Sequence, residues 1–128
     1  MNSQPHNPQL ILLVEDNPDV AAFLGELLRR AGFSVCSAAT AQQGLALALE
    51  RLPTLAVLDI DLPDFNGMEL CRQLKADLRT LHMPVIFCSG EVESKVDAFA
   101  AGGVDFIAKP HEAITLPARI RQVLKTTE

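Results

Sequence analysis

Tryptophan and tyrosine are absent, and six phenylalanines supply every aromatic ring. A platform for stacking nucleic-acid bases would have to rest on Phe alone. Basic residues are in the minority, with 11 Lys and Arg against 16 Asp and Glu and a net charge of −5. Without a basic stripe to neutralise phosphates, direct nucleic-acid binding by this domain is set aside. Cysteine is scarce and odd in number: Cys36, Cys71 and Cys88 stand far apart, with no CxxC pair and no Cys/His cluster. That argues against a disulfide framework and a zinc site, and leaves three small apolar residues for the interior. No window approaches the roughly 18 consecutive apolar residues that cross a bilayer. Met1–Gln9 is polar with two prolines and lacks the basic and apolar pattern of a secretory signal. Residues 1–9 therefore read as a flexible tail, residues 10–128 as one domain, and the chain as cytoplasmic with no membrane partner.

What is present is a regular alternation. The chain has 128 residues, 48% hydrophobic and 21% charged, enough for one core without staples. Leu10–Val14 is a continuous apolar run, the pattern of a strand buried on both faces. Asn17-Pro18 starts a helix, with Asn as cap and Pro at the first helical position. Val20, Phe23, Leu24, Leu27 and Leu28 follow at helical spacing, and Ala31-Gly32 ends it. Phe33–Ser37 is a second strand, and Thr40-x-x-Gln43 has the form of a capping box before a helix that ends near Leu52-Pro53. Thr54–Asp59 is the third strand, and Asn66-Gly67 opens a helix carrying Leu70 and Leu74. Pro84–Cys88 is the fourth strand, followed by a weak helix over Ser94–Ala101. Val104–Ala108 is the fifth, and a last helix starts near Thr115, since Pro117 fits only its first turn. Strands alternating with helices predict a doubly wound α/β fold, a five-stranded parallel sheet with helices on both faces.

In such folds the ligand site lies at the carboxyl ends of the strands. The polar residues fall there. The first strand runs into Glu15-Asp16, the third into Asp59 with Asp61 beyond, the fourth into Ser89, the fifth into Lys109-Pro110. Alone, Glu15-Asp16 reads as a solvated loop, Ser89 as a turn residue and Lys109 as a surface lysine. Together they form a site. Three carboxylates at neighbouring strand ends repel one another and call for a cation; all-oxygen ligation suits Mg²⁺, or Mn²⁺. A lysine on the next edge could neutralise a phosphoryl group from the other side, and a serine hydroxyl could donate to it. Asp59, ending the central strand, is the carboxylate placed to act as nucleophile in phosphoryl transfer.

Glu15-Asp16, Leu58-Asp59-Ile60-Asp61-Leu62-Pro63 with Gly67, Ser89-Gly90 and Lys109-Pro110 resemble the receiver domain of two-component response regulators, over about Leu10–Lys125. The resemblance implies a flavodoxin-like (βα)5 fold with strand order 2-1-3-4-5. It implies that Asp59 is the phosphoacceptor, served by a sensor histidine kinase or a phosphotransfer protein. Asp16 would bind Mg²⁺ directly, Glu15 directly or through water, and Asp61 through its backbone carbonyl. Ser89 would bind the phosphoryl group and Lys109 would pair with it. Phe106 matches the family's switch aromatic and would turn inward on activation, changing the face of helix 4, strand 5 and helix 5 for an effector. Asp61 and Glu91 would set the phosphoryl lifetime. A cis Lys109-Pro110 bond is implied as well. Arg119 and Arg121 resemble the pattern of regulators that dimerise through that face, so the expected state is a monomer or a phosphorylation-dependent homodimer.

Some positions depart from the family's commoner residues: Ser89 stands for Thr, Glu15 for Asp, and His111 for an apolar residue. His111 reads as a loop histidine, and His6 and His82 have no partners at ligand spacing. Two other functions compete. Asp59-x-Asp61 also resembles the nucleophile motif of haloacid-dehalogenase-type phosphatases, although that motif ends the first strand there. A receiver-like module that docks without being phosphorylated would keep the fold but need none of these residues. A flavodoxin proper would need a Ser/Thr/Gly-rich phosphate loop after the first strand, which is missing.

Overall fold

Alternation within each apolar run decides which side of the sheet a residue serves. The computed structural model describes residues 9–127; His6 and the expected tail, apart from Gln9, lie outside them. In it, five strands pair in parallel in the order β2-β1-β3-β4-β5: β1 (Leu10–Val14), β2 (Ser34–Ala38), β3 (Leu55–Leu58), β4 (Val85–Ser89) and β5 (Asp105–Ala108). Successive side chains of a strand point to opposite faces. Leu12, Val14, Ala56, Leu58, Val85, Phe87 and Phe106 therefore join one apolar cluster with Leu70, Cys71 and Leu74. Ile11, Leu13, Val57, Ile86, Cys88 and Ile107 join another with Leu24, Leu28, Leu116 and Ile120. Burying both faces is why these strands read as unbroken apolar runs.

The helices fill in accordingly. α1 (Pro18–Arg30) and α5 (Leu116–Thr127) cover the second cluster; α2 (Ala41–Arg51), α3 (Gly67–Ala76) and the short α4 (Lys95–Ala100) lie against the first. Asn17 caps α1, its Oδ1 accepting the amides of Asp19 and Val20 at 2.9 and 3.2 Å. Leu52 ends α2 at φ 48°, the left-handed region uncommon for a residue with a Cβ. Boundaries differ slightly from expectation. β2 and β4 begin and end one residue later than their apolar runs suggest. Pro84 has no N–H for the ladder, and only its carbonyl joins in, accepting from Ala56 at 3.0 Å. Single 3₁₀ turns, Val92–Ser94 and Ala113–Thr115, lead into α4 and α5. All three cysteines are buried free thiols. Among the described residues no helix is long and apolar enough to cross a membrane.

Candidate phosphoacceptor site

The strand ends converge as the fold requires. Val14 accepts the amide of Asp59 at 2.9 Å, and Ala38 accepts that of Glu15 at 3.0 Å, so the sheet carries its hydrogen bonding up to the acidic residues. Glu15, Asp16 and Asp59 offer carboxylate oxygens that lie within 4.8 Å of one another. Glu15 and Asp59 are buried, at 4% and 7% exposure, while Asp16 faces solvent.

Lys109 supplies the counter-charge. Its ammonium donates to Glu15 Oε1 at 2.5 Å and to Asp59 Oδ2 at 3.2 Å. The pairing with Glu15 was not expected from the sequence. The other oxygens are also engaged: Asn17 N–H donates to Glu15 Oε2 at 3.1 Å, and Ile60 N–H to Asp59 Oδ1 at 2.8 Å. Burial pushes the Glu15 carboxyl above its usual range, against the pull of Lys109 and the Asn17 amide. For Lys109, burial favours the neutral amine, but the two carboxylates outweigh it and raise its pKa. Three acids against one ammonium leave the cluster short of positive charge. An oxygen-only donor set with that deficit fits a divalent hard cation such as Mg²⁺.

The remaining predicted residues take up varied positions. Ser89 is buried at the end of β4, beside Ala108 in register, and its carbonyl accepts the Lys109 amide at 3.0 Å. Its Oγ accepts the Glu91 amide at 3.0 Å. The Glu91 carboxylate does not stand free, because it accepts the Ser94 hydroxyl at 3.1 Å. Asp61 is exposed in the loop after β3. The Lys109-Pro110 peptide is cis. Phe106 already points inward, only 2% exposed, in the cluster that holds its register partner Phe87.

The arginines of α5 are occupied within the chain. Arg119 forks onto Asp105, Nε to Oδ2 at 2.8 Å and Nη2 to Oδ1 at 2.7 Å, and reaches the Phe106 carbonyl at 3.2 Å. Arg121 donates to the Ala31 carbonyl at 2.6 Å and lies 5.5 Å over the Phe33 ring, which puts it on the α1 side of the helix.

Two residues have parts that the sequence did not reveal. Gly67 packs on the site itself: a Cβ there would sit 1.9 Å from the Asp59 carbonyl oxygen. Only the absence of a side chain lets α3 start so close to the end of β3. Asp64 reaches from the loop after β3 to α2, accepting the amides of Ala41 and Gln42, each at 2.8 Å. Desolvation alone would raise its pKa, but the backbone hydrogen bonds to its carboxylate together outweigh that and hold it low. Nothing local in Pro63-Asp64-Phe65 announces a partner more than twenty residues away.

Comparison with known proteins agrees with this geometry. The family model described as the response regulator receiver domain matches residues 11–121. The chain is 32% identical over 120 residues to the DNA-binding dual master transcriptional regulator RpaA of Synechocystis, covering 92% of this chain and 50% of that protein. It is 35% identical to the phosphate regulon transcriptional regulatory protein PhoB of Pseudomonas aeruginosa, covering 91% and 52%. The chain thus spans about half the length of these curated relatives. A CheY-like response regulator receiver domain protein from Methanospirillum hungatei superposes with a TM-score of 0.84 at 30% identity, covering 94% of this chain and 97% of that one. With its strand order and acidic strand ends in place, the chain belongs to the response regulator receiver family, the signalling modules of two-component systems.

Proposed function

We propose that this receiver is a working phosphoacceptor switch. A sensor histidine kinase or phosphotransfer protein presents a phosphohistidine, and Asp59 takes the phosphoryl group. One observation carries the reading: the Asp59 carboxylate is buried at the end of the central strand, clustered with those of Glu15 and Asp16, and the Lys109 ammonium bridges it, at 3.2 Å, to Glu15. In the transfer, a carboxylate oxygen of Asp59 forms the new P–O bond as the P–N bond to the donor imidazole breaks, its electron pair leaving on the ring nitrogen. Asp16 and Asp59, with Glu15 directly or through water and the Asp61 carbonyl, would hold Mg²⁺. The metal would supply positive charge to the phosphoryl oxygens. Lys109 supplies more of it and orients Asp59.

Ser89 then reports the new group. A hydroxyl has one hydrogen to donate and two lone pairs. Ser89 can give its hydrogen to a phosphoryl oxygen while still accepting the Glu91 amide, and so draw the loop after β4 toward the phosphate. Phosphorylation would favour the packing in which Phe106 is inward and α4, β5 and α5 present a changed face to an effector, a shift of population between two packings. Asp61 and Glu91 flank the route of hydrolytic water and set the lifetime; an unchanged decay rate in Asp61→Asn would count against that part.

The central test is labelling by acetyl phosphate with Mg²⁺. The expected result is stoichiometric label on the unaltered chain and none on Asp59→Asn. Undiminished labelling of the variant would overturn the assignment. An unaltered chain that takes no label would be a docking module instead.

A further inference from the structure

The loop between β3 and α3 carries Asp61 two residues beyond Asp59, and it is fastened at three points. At its start, the Ile60 amide donates to Asp59 Oδ1. At its end, the Gly67 amide donates to the Ile60 carbonyl at 2.8 Å, and Asn66 Oδ1 accepts the Met68 amide at 2.6 Å. The third point is Asp64, whose two oxygens take the first two amides of α2, those of Ala41 and Gln42. Leu62, one residue after Asp61, is buried on the inner side. Asp61 therefore sits on a short span held between Asp59 and the Asp64 clamp.

The helix start shows how far the clamp is built in. The in-chain cap of α2 is incomplete: Thr40 Oγ1 accepts only the Gln43 amide, at 3.1 Å. Gln43 turns back to the Ala39 amide at 3.2 Å. The Thr40 carbonyl takes the Gly44 amide at 3.0 Å. That leaves the amides of Ala41 and Gln42, both of which go to Asp64. The site loop thus completes the helix cap, and the helix in turn fixes the loop. A carboxylate suits this place because it accepts two bonds at once and complements the positive end of the helix.

We propose that Asp64 is a positioning residue for the phosphoacceptor site, acting through the placement of Asp61 and hence on the affinity for Mg²⁺. This rests on the phosphoacceptor reading given above. Cutting the clamp leaves the three carboxylates in place but frees the span that carries the Asp61 carbonyl. Metal binding should weaken, while the chemistry at saturating metal should persist.

The test is a Mg²⁺ titration followed by the amide NMR shifts of Asp59, Ile60 and Asp61, run beside acetyl-phosphate labelling at low and saturating Mg²⁺. Asp64→Ala should raise the Mg²⁺ dissociation constant on the order of tenfold, as loss of a supporting partner does at metal sites. Its labelling should be slow at low Mg²⁺ and recover at saturation. Asp64→Asn keeps one acceptor oxygen and should shift the constant less; it also serves if the alanine variant fails to fold. Thr40→Ala removes a cap from the same helix without touching the loop. It should lower the melting temperature and leave the Mg²⁺ constant unchanged. Asp64 variants that bind Mg²⁺ as the unaltered chain does, or a Thr40→Ala that shifts binding equally, would overturn the proposal. An unaltered chain that shows no Mg²⁺ response would instead overturn the phosphoacceptor reading itself.

Discussion

Two half-buried lysines sit at opposite ends of the sheet and behave in opposite ways. Lys75, late in α3, donates to the carbonyls of Met83 at 2.5 Å and Leu81 at 3.3 Å, at the amino end of β4. Burial lowers its pKa, only partly countered by the nearby Cys71 thiol. Lys109, after β5, faces Glu15 and Asp59, and its pKa is raised. Each is a long apolar stem with its charge tied down. One holds a loop together with neutral acceptors; the other meets formal charges that need it. The lesson is that a buried lysine is not by itself a sign of function. The sign is unbalanced charge around it, and only the carboxyl end of the sheet has that.

The comparison breaks if the two lysines can be exchanged in effect. Lys109→Met keeps the stem and removes the charge. Labelling should slow by roughly a hundred- to a thousandfold, because a preorganised donor to the phosphoryl group is gone. Without metal the variant should lose about 3 kcal/mol of stability, as Glu15 and Asp59 are left buried without a counter-charge. Mg²⁺ should restore much of that by binding the folded state, and should bind more tightly than in the unaltered chain, since no ammonium competes for the carboxylates. Labelling time courses and thermal melts with and without Mg²⁺ check each part. Lys75→Met should cost less, about 1–2 kcal/mol for the lost charge-assisted bonds. Mg²⁺ should not rescue it specifically, and labelling should be unaffected. A Lys75→Met that slowed labelling as much as Lys109→Met would erase the distinction.

How much of this could be read from sequence follows the same division. The strands were legible because sheets covered on both faces need unbroken apolar runs, and the site was legible because Glu15, Asp59, Ser89 and Lys109 each end such a run. Strand order came through resemblance, since periodicity does not say which strands are neighbours. The partners of charged groups were legible only in part. That Lys109 would meet Asp59 was implied by the resemblance, since β4 lies between their strands, and its bond to Glu15 depends on where a flexible side chain settles. Asp64 was missed because its acceptor role completes a cap belonging to another element. Thr40-x-x-Gln43 suggested a self-sufficient capping box, yet Gln43 turns to Ala39 instead. Arg121 looked like part of an α4–β5–α5 surface, and its side chain lies against Ala31 and Phe33. The sequence did not decide where Phe106 rests, and the interior beside Phe87 accommodates it.

The smallest expected effect gives the sharpest form of the comparison, because the two lysines should tilt alkaline stability in opposite directions. The chain has no tyrosine and only four lysines, so few groups titrate near pH 10. The buried thiols act in the same window, since burial raises Cys36, takes Cys71 up to about 11 and Cys88 up to about 12, so each lysine's part is read as the difference between its variant and the unaltered chain. Lys75 loses its proton more easily folded than unfolded. Between its lowered folded pKa and the ordinary 10.5, the unfolded chain holds more protons, so Lys75 makes stability rise with pH there. Lys109 holds its proton longer when folded. Its contribution is fully present below 10.5 and is lost as pH rises from there through the raised folded pKa, so it makes stability fall. Denaturant melts across this range should show the alkaline decline softened in Lys109→Met and steepened below 10.5 in Lys75→Met. Direct NMR titration of the lysine side chains should find Lys75 deprotonating before Lys109. The reverse order would mean that the carboxylates around Lys109 do not outweigh its burial, and the electrostatic argument for the site would fail with it.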